Sequence, residues 1–119
     1  MAEQSRDLKL RTKEFALRVI RMYSKLPKTD TVAEVLGKQV LRSGTSVGAN
    51  YREASRGRSK AEFISKLGVA EEEADESELW IELAMEHKLI PPRRLAPLHK
   101  EAGELTAILA ASRKTASGH

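Results

Sequence analysis

Between Glu71 and Glu82 the chain carries seven carboxylates, Glu71, Glu72, Glu73, Asp75, Glu76, Glu78 and Glu82. Such a density raises the question of a metal site. Di-iron carboxylate bundles use inward glutamates together with Glu-x-x-His pairs from facing helices. Here the residues three positions before His87 and His99 are Ala84 and Ala96, and His119 is terminal. The pattern is not met, and neither a metal nor any other cofactor is expected. On a helix successive side chains step by about 100°, so the run Glu71–Glu76 must divide. Some carboxylates meet water and others can meet basic residues. The chain has no cysteine, which removes thiolate nucleophiles and ligands. It also lacks a nucleophile-elbow motif and a Walker-type glycine loop. Its histidines sit near helix ends with no obvious serine or acid partner. An enzyme is not expected.

The cations are arranged more suggestively. Arg11, Lys13, Arg18, Arg21, Lys25 and Lys28 decorate the first helical segment, and Arg52, Arg56, Arg58 and Lys60 cluster around a turn. Residues 1–60 hold 14 Lys and Arg against 6 Asp and Glu, whereas residues 61–119 hold 7 against 11. Basic clusters of this kind are the footprint of phosphate-backbone contact. They are equally the composition of a solvated helix face, or of basic and acidic helices that pack together within or between subunits. Aromatic residues make up only 4% of the chain, so no stacking platform for single strands is evident.

Polar residues also interrupt apolar stripes. Ser43, Asn50 and Ser77 fall on such stripes, and Arg42 and Arg52 could reach Glu72, Glu73 or Glu76 on a neighbouring helix. A hydrogen-bonded network that fixes helix register is one reading, and a functional pocket is the other. Gly37, Gly44 and Gly48 share one helical face, in phase with Ala33 and Leu41. That face suits close approach of another backbone, inside the bundle or across a subunit interface.

Four helical segments must position these groups. Leu8, Phe15, Val19, Met22 and Leu26 recur at helical spacing, flanked by Ala16, Ile20 and Tyr23, and predict a helix over 7–26 that Pro27 ends. Thr31 with Glu34 reads as a capping box opening a second helix over 31–55, whose stripe is Val32, Leu36, Val40 and Val47. The stretch SGTSVGAN weakens that helix, but the heptad phase continues through it. Gly57 marks the next turn, and Ser59 with Glu62 is a second capping box. The third helix is expected over 59–88 through Phe63, Leu67, Ala70, Ala74, Ser77, Ile81 and Ala84, stopped by Pro91-Pro92. The fourth, over 94–116, carries Leu95, Leu98, Ala102, Leu105, Leu109, Ser112 and Ala116. Its start is set at Arg94 because Pro97 is tolerable only in a first turn, and the closing Ser-Gly-His is expected to fray.

Four such helices joined by short turns predict an all-α fold, an antiparallel up-down-up-down four-helix bundle forming one domain over 1–119. The charged opening MAEQSRDLKLRTKEF is unlike a signal peptide. No apolar run approaches the ~20 residues needed to span a bilayer. A cytoplasmic protein with no membrane partner is expected.

The segment LGKQVLRSGTSVGANYREASRGRSKAEFISKLGVAEEEADESELWIEL, residues 36–83, resembles the four-helix bundle protein family first noticed as products of intervening sequences in bacterial 23S ribosomal RNA genes. The likeness extends to FALRVIRMYSKLP in the first helix and RLAPLHKEAGEL in the fourth. The resemblance implies assembly as a homopentameric ring with a central channel, and no established enzymatic role. Related accessory proteins of diversity-generating retroelements form basic barrels that bind a reverse transcriptase and nucleic acid. By that analogy Arg18, Arg21, Arg52, Arg56 and Arg58 are the candidate contacts to RNA or DNA, and a reverse transcriptase is a candidate protein partner. The alternative is a protein-interaction scaffold whose charges pair across subunits, with no physiological nucleic-acid ligand.

Overall fold

The computed structural model describes residues 2–118, with side chains from Asp7 onward. Met1 and His119, and with His119 the expected fraying of the last residue, lie outside the described residues. Among the described residues there are four helices and no strand: α1 Ala2–Lys25, α2 Thr31–Ser55, α3 Lys60–Glu86 and α4 Pro92–Ala116. None is long and apolar enough to cross a membrane.

The helix boundaries follow from local chemistry; α1 begins at Ala2, five residues before the expected Asp7, and three further departures concern the other helices. The first concerns the start of α2, where the cap is Asp30 and not Thr31. The Asp30 carboxylate accepts from the Ala33 N–H at 3.0 Å. An ionised acceptor at the positive end of the helix dipole outcompetes a hydroxyl one residue later. Glu34 pairs instead with Lys38 one turn on, at 3.0 Å. At α3, Ser59 caps as expected, accepting from the Glu62 N–H at 3.1 Å. Glu62 reaches back one residue further than a capping box requires, to the Arg58 N–H at 3.3 Å.

The second departure is the end of α3, two residues earlier than expected. The Leu89 N–H donates to the Ala84 carbonyl at 3.0 Å and the Lys88 N–H to the Met85 carbonyl at 3.1 Å. These are the two bonds of a Schellman motif, and they require a left-handed residue, here Lys88 at φ 58°. The third is α4, which begins at Pro92 and contains Pro97. A proline at the first position loses only an N–H that would have been unpaired. Pro97 removes one interior hydrogen bond, yet α4 remains continuous around it. By contrast, α2 runs unbroken through Gly44 and Gly48.

α1 packs on α2, α2 on α3 and α3 on α4, while α4 touches α1 lightly, and among the described residues no diagonal pair brings its backbones as close. The body measures 46 × 22 × 21 Å. Between α2 and α3, Arg42 and Ser43 meet Glu73 and Ser77, while Glu53, further along α2, meets Lys66, earlier in α3.

Phe15, Val19, Val40, Val47, Leu67, Ile81, Leu105 and Leu109 fill the core. The α1 stripe is as expected except at its flank, where Ile20 is 45% exposed, and Thr12 completes it: its hydroxyl is buried and donates to the Leu8 carbonyl at 2.7 Å. In α2 the inward face is Ala33, Gly37, Val40, Gly44, Val47, Tyr51 and Ala54. Val32, expected inside, is 45% exposed and Leu36 is half-buried. Small residues won that face because α1 lies too close for larger ones. A Cβ on Gly44 would come within 2.7 Å of Val19 Cγ2, and one on Gly37 within 2.7 Å of Leu26 Cδ1. Gly48 faces Thr12 with slightly more room, at 3.3 Å. The three glycines therefore serve packing of α1 on α2 within one chain.

Candidate functional site

Polar side chains gather in three places, and each is set up by the helix pairing. The first is the α2–α3 seam. Arg42 donates to Glu73 at 3.0 Å and also pairs with Glu76. Trp80 Nε1 donates to the same Glu76 carboxylate at 3.2 Å. Beneath them the Ser43 and Ser77 hydroxyls lie 2.8 Å apart, fully buried, and Ser77 Oγ is 2.8 Å from the Glu73 carbonyl oxygen. One proton on each hydroxyl completes that chain. Asn50 does not join it; its amide donates to the Ser46 carbonyl of its own helix at 2.9 Å. Glu72 also stays out, facing solvent on the outer side of α3.

The second place is the outer ridge of α3. The acidic run divides three ways. Glu73 and Glu76 turn to α2, and Glu71 accepts from Arg113 of α4 at 2.7 Å. His99 of α4 lies 3.2 Å from Glu82 and 3.9 Å from Glu78. Glu72 and Asp75, beside the exposed Leu79, front a shallow depression with no cation in its lining. The Arg113 guanidinium is held above its ordinary pKa by its hydrogen bond to Glu71. Among the described residues no three His, Asp or Glu side chains are grouped to hold a metal ion.

The third place is the light seam between α1 and α4. At one end Arg11 is bound bidentately to Glu101, at 2.6 and 3.1 Å, and touches Glu104 at 3.2 Å. The hydrogen bond to Glu101 raises the Arg11 pKa above its ordinary value. Towards the other end the seam opens into a groove of about 210 Å³, walled by Arg18, Arg21, Lys25 and Arg94 over an apolar floor. Among the described residues no carboxylate lines it.

The five arginines singled out from the sequence thus fall into two groups. Arg18 and Arg21 belong to the α1–α4 groove. Arg52, Arg56 and Arg58 lie at the end of α2 and in the turn to α3, all exposed. Gly44 faces Val19 and Gly48 faces Thr12. At 1.5 Å per residue the end cluster therefore stands roughly 10–20 Å further down the bundle than Arg18 and Arg21. Arg94 was not anticipated as a site residue. The signal was present in the pairing, which lays the first turn of α4 beside the last turns of α1.

A model of the 23S rRNA-intervening sequence protein family matches residues 6–111. Among solved structures, the chain is similar to a protein of unknown function from the S23 ribosomal protein family of Bacteroides thetaiotaomicron. The two are 36% identical, with a TM-score of 0.81, over 92% of this chain and 97% of that one. No curated protein matches the chain.

Proposed function

The chain belongs to the 23S rRNA-intervening sequence protein family, and from that premise we propose that it is a non-enzymatic, oligomeric protein whose basic surfaces take the phosphate backbone of RNA or DNA. One observation carries this reading: Arg18, Arg21, Arg52, Arg56 and Arg58 make no ion pair among the described residues, while Arg11, Arg42 and Arg113 all do. Cations needed for internal structure are paired; the others are left available to an external anion. The opposed α2–α3 pairings support an antiparallel up-down-up-down bundle. Assembly as a homopentameric ring is what the family resemblance implies, and a cytoplasmic location is part of the proposal. Leu10, Leu17 and Ile20, exposed on one face of α1, offer an apolar surface to a neighbouring copy. A reverse transcriptase is a candidate partner by analogy alone.

The test is fluorescence anisotropy with RNA and duplex DNA over a salt series. Binding should weaken by roughly 0.7 to 0.9 log units per neutralised phosphate for each log unit of salt. Replacing Arg52, Arg56 and Arg58 together by Glu should lower affinity ~100-fold or more, leaving the oligomer unchanged in light scattering. Undiminished binding by that variant defeats the assignment of the surface.

The acidic ridge of α3 favours a second reading, a protein-interaction scaffold in which this ridge meets basic residues of a neighbouring copy. It predicts no salt-sensitive binding of nucleic acid, and an assembly that dissociates when Glu72 and Asp75 are replaced by Gln and Asn.

A further inference from the structure

We infer that the groove between α1 and the start of α4 is a binding site for a phosphoryl group carried on a sugar. This deepens the nucleic-acid reading and rests on it for the source of the phosphate. Arg18, Arg21 and Lys25 come from α1 and Arg94 from α4, so the charge converges from two helices onto one cleft. None of the four is ion-paired among the described residues, and no carboxylate lines the cleft. The start of α4 adds to the same sign. Its N-cap, Pro91, makes no side-chain cap, and its first turn holds no acid. The positive end of that helix dipole is left uncompensated beside Arg94.

Three guanidiniums favour phosphate over carboxylate, because each can fork onto two of several oxygens. The floor is made by Met22, Ile90, Leu95 and Leu98, all buried. At about 210 Å³ the groove is roomier than a bare phosphate needs. The ring carbons of a sugar can cover the apolar floor while its phosphate meets the cationic walls. Such a unit is supplied either by a nucleic-acid strand or by a free nucleotide.

The experiment uses the full chain in three forms: wild type, Arg21→Gln/Arg94→Gln, and Arg52→Gln/Arg56→Gln/Arg58→Gln. Each is titrated calorimetrically with adenosine 5′-monophosphate, adenosine and inorganic phosphate, and by anisotropy with an RNA strand. The monophosphate should bind wild type and the end-cluster variant alike, should bind more tightly than inorganic phosphate, and should lose ~10-fold or more in the groove variant. Adenosine should not bind. RNA affinity should fall in both variants, with the salt slope of the groove variant reduced by roughly one to two phosphates. If the monophosphate binds the groove but RNA binds no form, the groove stands as a free-nucleotide site and the nucleic-acid reading falls. If RNA binds wild type and the groove variant equally and the monophosphate gives no heat, the groove inference is overturned and the nucleic-acid reading survives. It is equally overturned if the groove variant changes only the size of the assembly, since a second copy's acidic α3 ridge then fills the cleft.

Discussion

Replacing Gly44 by Ala isolates the close approach of α1 to α2. In an unobstructed helix the change stabilises by about 1 kcal/mol, because alanine is the better helix former. At Gly44 the new methyl would stand 2.7 and 2.9 Å from the two methyls of Val19 and 3.1 Å from its Cβ. The nearest contact falls short of ordinary van der Waals separation by about 0.7 Å. Val19 is fully buried, and a β-branched side chain on a helix has one strongly preferred rotamer, so it cannot swing aside. The helices must separate instead, at an overpacking cost of about 2–3 kcal/mol. The net expectation is a loss of about 1–2 kcal/mol, or roughly 4–8 °C in Tm. Two sibling substitutions supply the scale. A Cβ on Gly68 meets only Arg113 Cδ at 3.6 Å, so Gly68→Ala should gain the full ~1 kcal/mol. Gly48→Ala, at 3.3 Å from the Thr12 hydroxyl, should come out near zero. Urea and thermal unfolding followed by circular dichroism at one fixed protein concentration would measure all three. Adding Val19→Ala to Gly44→Ala should show favourable coupling of at least ~1 kcal/mol in the double-mutant cycle. Equal shifts at Gly44 and Gly68 would refute the steric account.

Other outcomes follow from local geometry. Lys88 holds a left-handed conformation at φ 58°, so Lys88→Gly should raise stability by about 1 kcal/mol, read as a higher urea midpoint with unchanged slope. Asp30→Ala should cost about 1 kcal/mol and Thr31→Ala much less, because Asp30 holds the Ala33 N–H; the reverse order in thermal melts would return the cap to Thr31. Ser77→Ala strands the buried Ser43 hydroxyl at a cost of about 1–3 kcal/mol. Adding Ser43→Ala should then cost less than its effect in the wild-type background, as the denaturation midpoints of the cycle would reveal.

The helix count, the α1, α3 and α4 stripes and the role of Ser59 were legible in the sequence because each rests on local periodicity or capping. The α2 face was misjudged at Val32 and Leu36. Periodicity rewards large apolar residues, whereas that seam selects for the absence of side chains, and the needed partner, Val19, is 25 positions away. The α3 terminus was missed because its Schellman motif uses a lysine where glycine is the usual signal. Arg42 could be matched to Glu73 and Glu76 because α2 and α3 are joined by a short turn that sets their register. Asn50 satisfied itself locally, an option open to any short polar side chain on a helix. Arg94 escaped notice because the groove joins the first and last helices, and a linear reading does not bring them together.

The light contact between α1 and α4 has a kinetic corollary. Of the four seams it has the least packing to lose, so it is where the bundle should breathe first. Opening there would swing α1 outward on its attachment to α2, and amide hydrogens along α1 would exchange faster than those of α2 and α3. An anion held jointly by Arg18 and Arg21 on one side and Arg94 on the other would act as a clasp across that edge. Occupancy of the groove would then be written into the exchange rate of a helix most of whose length lies beyond the ligand's reach.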